Sequence, residues 1–235
     1  MTAVQDAARS GDTDRLAALL AQGADPNGQD EPDGRTPLVV AAVAGELAAV
    51  ELLLEHGADP DPVDPSGESA LYAAAARGLT EVVARLLGEP GVDPNRRSER
   101  GWGPLTAAAF AGHAPAVQQL LAHPRLRAAA RDAQGRTALW WAATGGRAEA
   151  ARLLVQHGTG LQLTDDDGVD PAGAAAAAGH SELAAELHQL AAAAEPAQDG
   201  DPESDEAGDD RYHPPDEPPP GRVIREPSWR LREGR

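Results

Sequence analysis

An all-helical chain built of stacked helix pairs is the fold class this sequence predicts, on three observations. The 235 residues include only one Phe, two Tyr and four Trp, so the core must come from Ala, Leu and Val. Alanine favours helices and lets them approach closely, whereas a sheet interior draws on Ile, Tyr and Phe. Glycines recur at Gly11, Gly45, Gly78, Gly112, Gly146 and Gly179, in steps of 33 or 34 residues. The stretch from Asp33 to Asp61, DGRTPLVVAAVAGELAAVELLLEHGADPD, writes out one whole period.

Within that period Thr36 is suited to be an N-cap and Pro37 fits the first helical position, where no N–H is missed. Leu38, Ala41 and Ala42 share one helical face, and Gly45 supplies the left-handed residue that ends a short helix. A second helix carries Leu47, Val50, Leu53 and Leu54, and Gly57 stops it. Prolines at 60 and 62 then force an extended return. Isolated helices this short are marginal in water, so each pair needs neighbours.

The pattern repeats. Turn glycines Gly34, Gly67, Gly101, Gly135 and Gly168 hold the same register and are followed by RTPL, ESAL, WGPL, RTAL and VDPA. GADPN at Gly23 to Asn27, GADPD at Gly57 to Asp61 and GVDPN at Gly91 to Asn95 form a second recurring block. Together with TPLVVAA at Thr36 to Ala42, these motifs resemble the ankyrin repeat, a family of about 33-residue units with a T-P-L-H-x-A signature.

The resemblance covers roughly residues 3–192. It implies an all-α ankyrin-repeat solenoid, residues 1–194, with units of approximately 1–30, 31–63, 64–97, 98–131, 132–164 and 165–194. The first and last units carry polar helices, Gln5, Asp6, Arg9 and Asp12 in one, Glu182, Glu186 and His188 in the other, as end caps of a solenoid require. Val39, Tyr72, Thr106, Trp140 and Gly173 replace the signature histidine, so its loop hydrogen bond is not expected. HPRLRAAAR and HGTGLQLTD stand where later units would carry GAD, and those loops are expected to deviate. Residues 195–235, acidic and Pro-rich and then Arg-rich, have little to bury and predict a disordered tail.

The formal charge is −18, and all 20 basic side chains are arginine, a bias expected of a GC-rich bacterial genome. Nucleic acid is not an expected partner, because phosphate contacts need clustered basic residues. Residues 195–217 hold ten acids against one arginine, a net −9, and residues 218–235 hold five arginines against two acids, a net +3. That leaves −12 for residues 1–194. No basic n-region with an apolar h-region opens the chain and no run of 18 apolar residues occurs, so a cytoplasmic protein with no membrane partner, and a monomer, is expected.

No P-loop, nucleophile elbow, HExxH or Cys/His motif is present, and there is no cysteine. An enzyme is therefore not expected, nor any catalytic residue, metal ligand or cofactor. His56 and His157 share one position at the end of a second helix, and His113 and His180 share the position after the turn glycine, which reads as structural. Asp165, Asp166, Asp167 and Asp170 suggest a calcium loop only superficially, since Val169 sits where a ligand is wanted; a solvated hairpin tip is the expectation.

What remains is a surface. In the family that this sequence resembles, hairpin tips and inner helices form a concave groove. The matching positions here are Arg35, Val40 and Val43; Glu68, Ala73 and Arg77; Arg100, Trp102, Ala107 and Phe110; and Gln134, Arg136, Trp141 and Thr144. Trp and Arg dominate interface energies, so Arg35, Arg77, Arg100, Trp102, Phe110, Arg136 and Trp141 are the expected contacts for an unidentified protein partner. Trp140 is expected to fill space between repeats, and packing is the alternative for Trp102 and Trp141. A second functional class is an acidic immunity or antidote protein for a basic partner, or an inhibitory protein whose acidic tail covers the groove arginines.

Overall fold

The computed structural model describes residues 2–29 and 34–193; the expected disordered tail lies outside the described residues. Twelve α-helices are described: α1 Ala3–Ser10, α2 Thr13–Ala21, α3 Pro37–Ala44, α4 Leu47–Glu55, α5 Ala70–Ala76, α6 Thr80–Leu87, α7 Pro104–Ala111, α8 Ala114–Leu121, α9 Ala138–Thr144, α10 Ala148–Gln156, α11 Pro171–Ala177 and α12 Ser181–Ala193. An isolated antiparallel bridge, Val63 to Ser69, is the one extended pairing among the described residues.

Local chemistry starts each inner helix. The side chains of Thr36, Ser69, Thr137 and Asp170 accept from the backbone N–H of Val39, Tyr72, Trp140 and Gly173. Gly103, at the same place in the fourth repeat, has no side-chain cap, but Pro104 still sets the helical start. In the first repeat Thr2 and Gln5 form a reciprocal capping box, and the Gln5 amide also donates to the Arg35 carbonyl at 2.7 Å, tying the cap to the second repeat.

Odd-numbered helices pack in file, α1 on α3 through to α9 on α11, and even-numbered helices α2 to α10 follow outside them in the same order. Between the two files lies one continuous core. Leu53, Leu86, Leu120, Leu154 and Leu187 occupy one register position in successive repeats and are all essentially buried, as are Leu38, Leu71 and Leu139 on the inner file. Each contributes roughly 1.5–3 kcal/mol. α10 and α12 are joined at the surface by Arg152, whose guanidinium donates to both Glu186 oxygens at 2.5 and 2.7 Å.

Turn glycines do more than reverse the chain. Gly78 has a φ of +69°, and a Cβ placed there would lie 2.5 Å from Nδ1 of His113. Glu46, Leu79, His113, Arg147 and His180 share one register position, and each lies over the turn glycine of the repeat before it: Gly11, Gly45, Gly78, Gly112 and Gly146. His113 also bonds through Nε2 to the Ala76 carbonyl at 3.2 Å, and Arg147 Nε donates to the Phe110 carbonyl at 3.0 Å. His113 thus has an inter-repeat packing position.

The loops on the opposite edge stack as a ladder. Asn27 donates to the Gly57 carbonyl and accepts from Asp59 N–H; Asn95 donates to the Arg125 carbonyl and accepts from Arg127 N–H. Asp61, midway, accepts from Asp93 N–H at 3.3 Å and from Arg96 Nε at 2.6 Å. Its Oδ1, placed where the asparagines carry an NH2, is buried with no partner. Burial pushes the Asp61 carboxyl above its ordinary 3.8, against the opposing pull of Arg96. The ladder stops at Ala129, which has no amide, and Arg131 instead donates to the Thr164 carbonyl.

Two predictions follow from these contacts. Gly57→Ala meets open space at a φ of +79° and should cost only about 1 kcal/mol for the left-handed backbone. Gly78→Ala, which meets His113 as well, should cost at least about 2 kcal/mol; equal shifts in urea midpoint for the two variants refute the packing role. Asp61→Asn supplies the missing donor and should stabilise the fold at neutral pH by about 1 kcal/mol, read by thermal melting. A carboxyl with a raised native pKa has its stability contribution in full below the unfolded value and loses it as pH rises through the native value. The advantage of Asp61→Asn over wild type should therefore shrink as pH falls toward 3.8, and an advantage that grows on acidification overturns the assignment.

Candidate functional site

Aromatic side chains gather in the third to fifth repeats. Tyr72, Ala76, Trp102, Ala107 and Trp141 form a buried cluster separate from the main core, with Phe110 and Trp140 packed against it and half-exposed. Trp102 and Trp141 meet at 4.5 Å between ring centroids, Phe110 stands edge-on to both at 5.3 and 5.7 Å, and Trp140 lies 5.1 Å from Trp141. These are the tilted and T-shaped arrangements that ring quadrupoles favour.

The hairpin of the fifth repeat clamps this cluster from one side. Asp132 is buried, and its Oδ1 accepts from the N–H groups of Gln134 and Arg136 at 3.0 and 2.9 Å. Its Oδ2 accepts from Arg136 Nε at 2.9 Å and from Trp141 Nε1 at 3.0 Å. Four donors satisfy the carboxylate, which is what a buried charge requires. The guanidinium of Arg136, held by that contact, sits 4.3 Å from the Trp141 ring centroid and 5.3 Å from that of Trp140.

Asp64 and Asp165 organise their hairpins in the same way. Each carboxylate accepts from the N–H groups two and four residues on. Asp165 thus caps its own turn, and no group of three or more His, Cys, Asp or Glu able to hold a metal occurs among the described residues. Ser98 holds this position in the fourth repeat, and its buried hydroxyl lacks a partner, as do the Tyr72 hydroxyl beside it and the buried Nε1 of Trp140. Burial first, then the negative charge of Glu68, raises the Tyr72 phenol far above its ordinary 10, with Arg100 and the Ser98 hydroxyl pulling weakly the other way. Tyr72 is a neutral core residue at physiological pH.

A family model for ankyrin repeats (3 copies) matches residues 4–98 and 90–167, more than half of the chain. The chain belongs to the ankyrin repeat family. No curated protein matches it significantly. Among solved structures, the ankyrin repeat domain of Bcl-3, a unique member of the IkappaB protein family, has a similar fold, with a TM-score of 0.73 over 81% of this chain and 86% of that one, at 23% identity. At that identity the likeness speaks for the architecture alone. Ankyrin repeats are protein-interaction modules rather than enzyme scaffolds. No helix among the described residues is long and apolar enough to cross a membrane.

Against this ankyrin frame the seven expected contact residues separate into two groups. Trp102 and Trp141 are 5% and 3% exposed, so they are not the open anchors the sequence suggested: each ring covers the other across the fourth and fifth repeats. Trp140, expected to fill the interior, is the more exposed of the adjacent pair. Arg35 is held by Asp64, with Nε to Oδ2 at 3.1 Å, and lies 4.0 Å from Glu68; Arg136 is held by Asp132. Arg77 and Arg100 are exposed and Phe110 is half-exposed, and these three remain at the surface. The recurring hairpin acid, three residues before Gly67, Gly135 and Gly168, was readable from the sequence but is silent about function.

Tyr72→Phe deletes a buried hydroxyl that has no well-formed hydrogen bond, so it should leave stability unchanged or raise it by about 1 kcal/mol. A loss above about 1 kcal/mol in chemical denaturation shows that the hydroxyl is satisfied.

Proposed function

We propose that this ankyrin repeat domain is a non-enzymatic module that captures a protein partner on its concave face, at the third to fifth repeats. The observation that carries the reading is the aromatic cluster: nearly all the rings of an aromatic-poor chain lie together, under a surface bearing Phe110, Trp140, Arg77 and Arg100. Trp102, Trp141 and Arg136 hold that surface rigid from beneath, which limits the ordering cost of association. Arg77 has no ion pair or side-chain hydrogen bond among the described residues, so its charge is available to an acidic group. Arg35 contributes through the hairpin it fixes with Asp64. The cleft between the loops of the fourth and fifth repeats, bounded by Pro94, Arg97, Leu126 and Arg127, has a volume of about 30 Å³. That is room for a water molecule or so, which favours recognition over a broad surface.

Substituting Trp102 or Trp141 by alanine would report on folding, since emptying such a site costs about 3–5 kcal/mol. The informative variant is Arg77→Glu with Phe110→Ala, compared with Glu51→Ala and Gln118→Ala on exposed outer-helix positions. In capture from the source lysate, the first pair should reduce the retained protein at least about tenfold, as loss of interface hot spots does, while the outer pair leaves it unchanged. Equal retention by both refutes the concave-face reading.

A further inference from the structure

The loop edge of the stack carries two blocks of opposite charge. Residues 55–68, in the loops between the second and third repeats, hold five acids and no arginine. Residues 94–136, which form the edge and hairpins of the fourth and fifth repeats, hold seven arginines and two acids in a chain of net −18. The register shows the switch at one position: Asp25, Asp59 and Asp93 are followed by Arg127. Arg96 has a side chain 41% exposed, and Arg100, Arg125 and Arg127 are exposed too. Arg125 and Arg131 donate to main-chain carbonyls, those of Val92, Gly135 and Thr164, contacts that position a guanidinium without cancelling its charge.

α12 is an outer helix, so its C-terminal end at Ala193 delivers the chain to this same edge, on the far side of the basic block from the acidic one. The sequence that follows carries its charge in the order acidic, −9 over residues 195–217, then basic, +3 over residues 218–235. Laid back along the edge, the acidic part meets the arginines of the fifth and fourth repeats, and the basic part meets the aspartates of the loops before them. The span fits. Six repeats at 8–10 Å per step cover roughly 40–50 Å, and 42 flexible residues have a root-mean-square reach of about 36 Å, with a far longer limit when extended.

We infer that residues 195–235 dock on the loop edge of their own repeat stack, the acidic segment on Arg96, Arg125 and Arg127 and the basic end on the acidic loops. The groove is the poorer counterpart for the acidic segment, because Arg35 and Arg136 are already held by Asp64 and Asp132. This inference does not rest on the concave-face reading.

The chain has no cysteine, so pairs of introduced cysteines can be labelled for energy transfer in the full-length protein. One pair is Ser204→Cys with Ala129→Cys on the loop edge, and a second is Ser204→Cys with Thr144→Cys at the end of α9. Docking on the edge gives higher transfer for the first pair than for the second. It is lost in about 1 M salt, where screening shortens to about 3 Å, and when Asp201, Glu203, Asp205, Glu206, Asp209 and Asp210 are all changed to amides. Those changes leave the repeats untouched, so loss of folding cannot imitate the result. Transfer at Ala129 unaffected by both salt and amides overturns the inference, as does higher transfer at Thr144. Transfer that appears only between chains, in a mixture of singly labelled proteins, overturns its intramolecular form.

Discussion

Every repeat depends on how closely the next one can approach its turn. A helix pair of seven to nine residues each does not hold itself together, and the stack stabilises it only if successive pairs touch along their whole length. A Cβ at Gly11, Gly45, Gly78, Gly112 or Gly146 would occupy the place of a side chain from the following repeat. The period of 33 or 34 residues is thus a contact period as much as a chain-reversal period. It also explains the tolerance of the position that follows the glycine: Glu46, Leu79, His113, Arg147 and His180 differ in charge and shape, but each can lay a long or flat side chain over a bare backbone.

Architecture was legible because it rests on residues with one main physical use. Gly45 at positive φ, Pro37 at a helix start and Thr36 as a cap state their roles locally, and repetition multiplies them. The site was less legible because its geometry is set between repeats. Trp141 falls in the register row of Val40, Ala73, Ala107 and Ala174, an inner-helix row, and nothing in its own repeat says that Trp102 from the previous hairpin will cover it. The fates of Arg35 and Arg136 are of the same kind. One is paired 29 residues ahead and the other four residues back, through a hairpin acid whose role shows only once the turn is built. Spacing identifies a row, and the packing of neighbouring repeats decides which members of the row reach solvent.

Loop chemistry divides the stack in two. Asn27, Asp61 and Asn95 reach forward to the next loop, so the first four repeats share a ladder of side-chain to main-chain bonds. From Ala129 onward that device is absent, and arginines do the bridging: Arg97 to the Arg131 carbonyl, Arg125 to the Val92 carbonyl and Arg131 to the carbonyls of Gly135 and Thr164. Replacing a short neutral amide with a long cation keeps the loops in register but changes the sign of the surface. The basic block on the edge is in this sense a by-product of how the later loops are joined, and it is available to whatever acidic chain lies near it.

The buried polar atoms without partners are not scattered. Asp61 Oδ1, Tyr72 hydroxyl, Ser98 Oγ and Trp140 Nε1 belong to the loops, hairpins and inner helices of the third to fifth repeats. Tyr72 and Trp140 stand in the row of the family's signature histidine, and Ser98 stands in the row of the hairpin aspartates, so three of these orphaned atoms arise where a residue departs from the local pattern. Each such atom costs roughly 1–3 kcal/mol, and a stack free to optimise stability would restore the pattern. Departures of this kind concentrate where a structure serves something other than its own stability. Here they surround the same rings that form the base of the concave face, Trp102, Trp141 and Phe110. Stability given up and aromatic surface gathered in the same three repeats are two independent marks on one region, which is the physical ground for placing recognition there rather than on the regular second repeat.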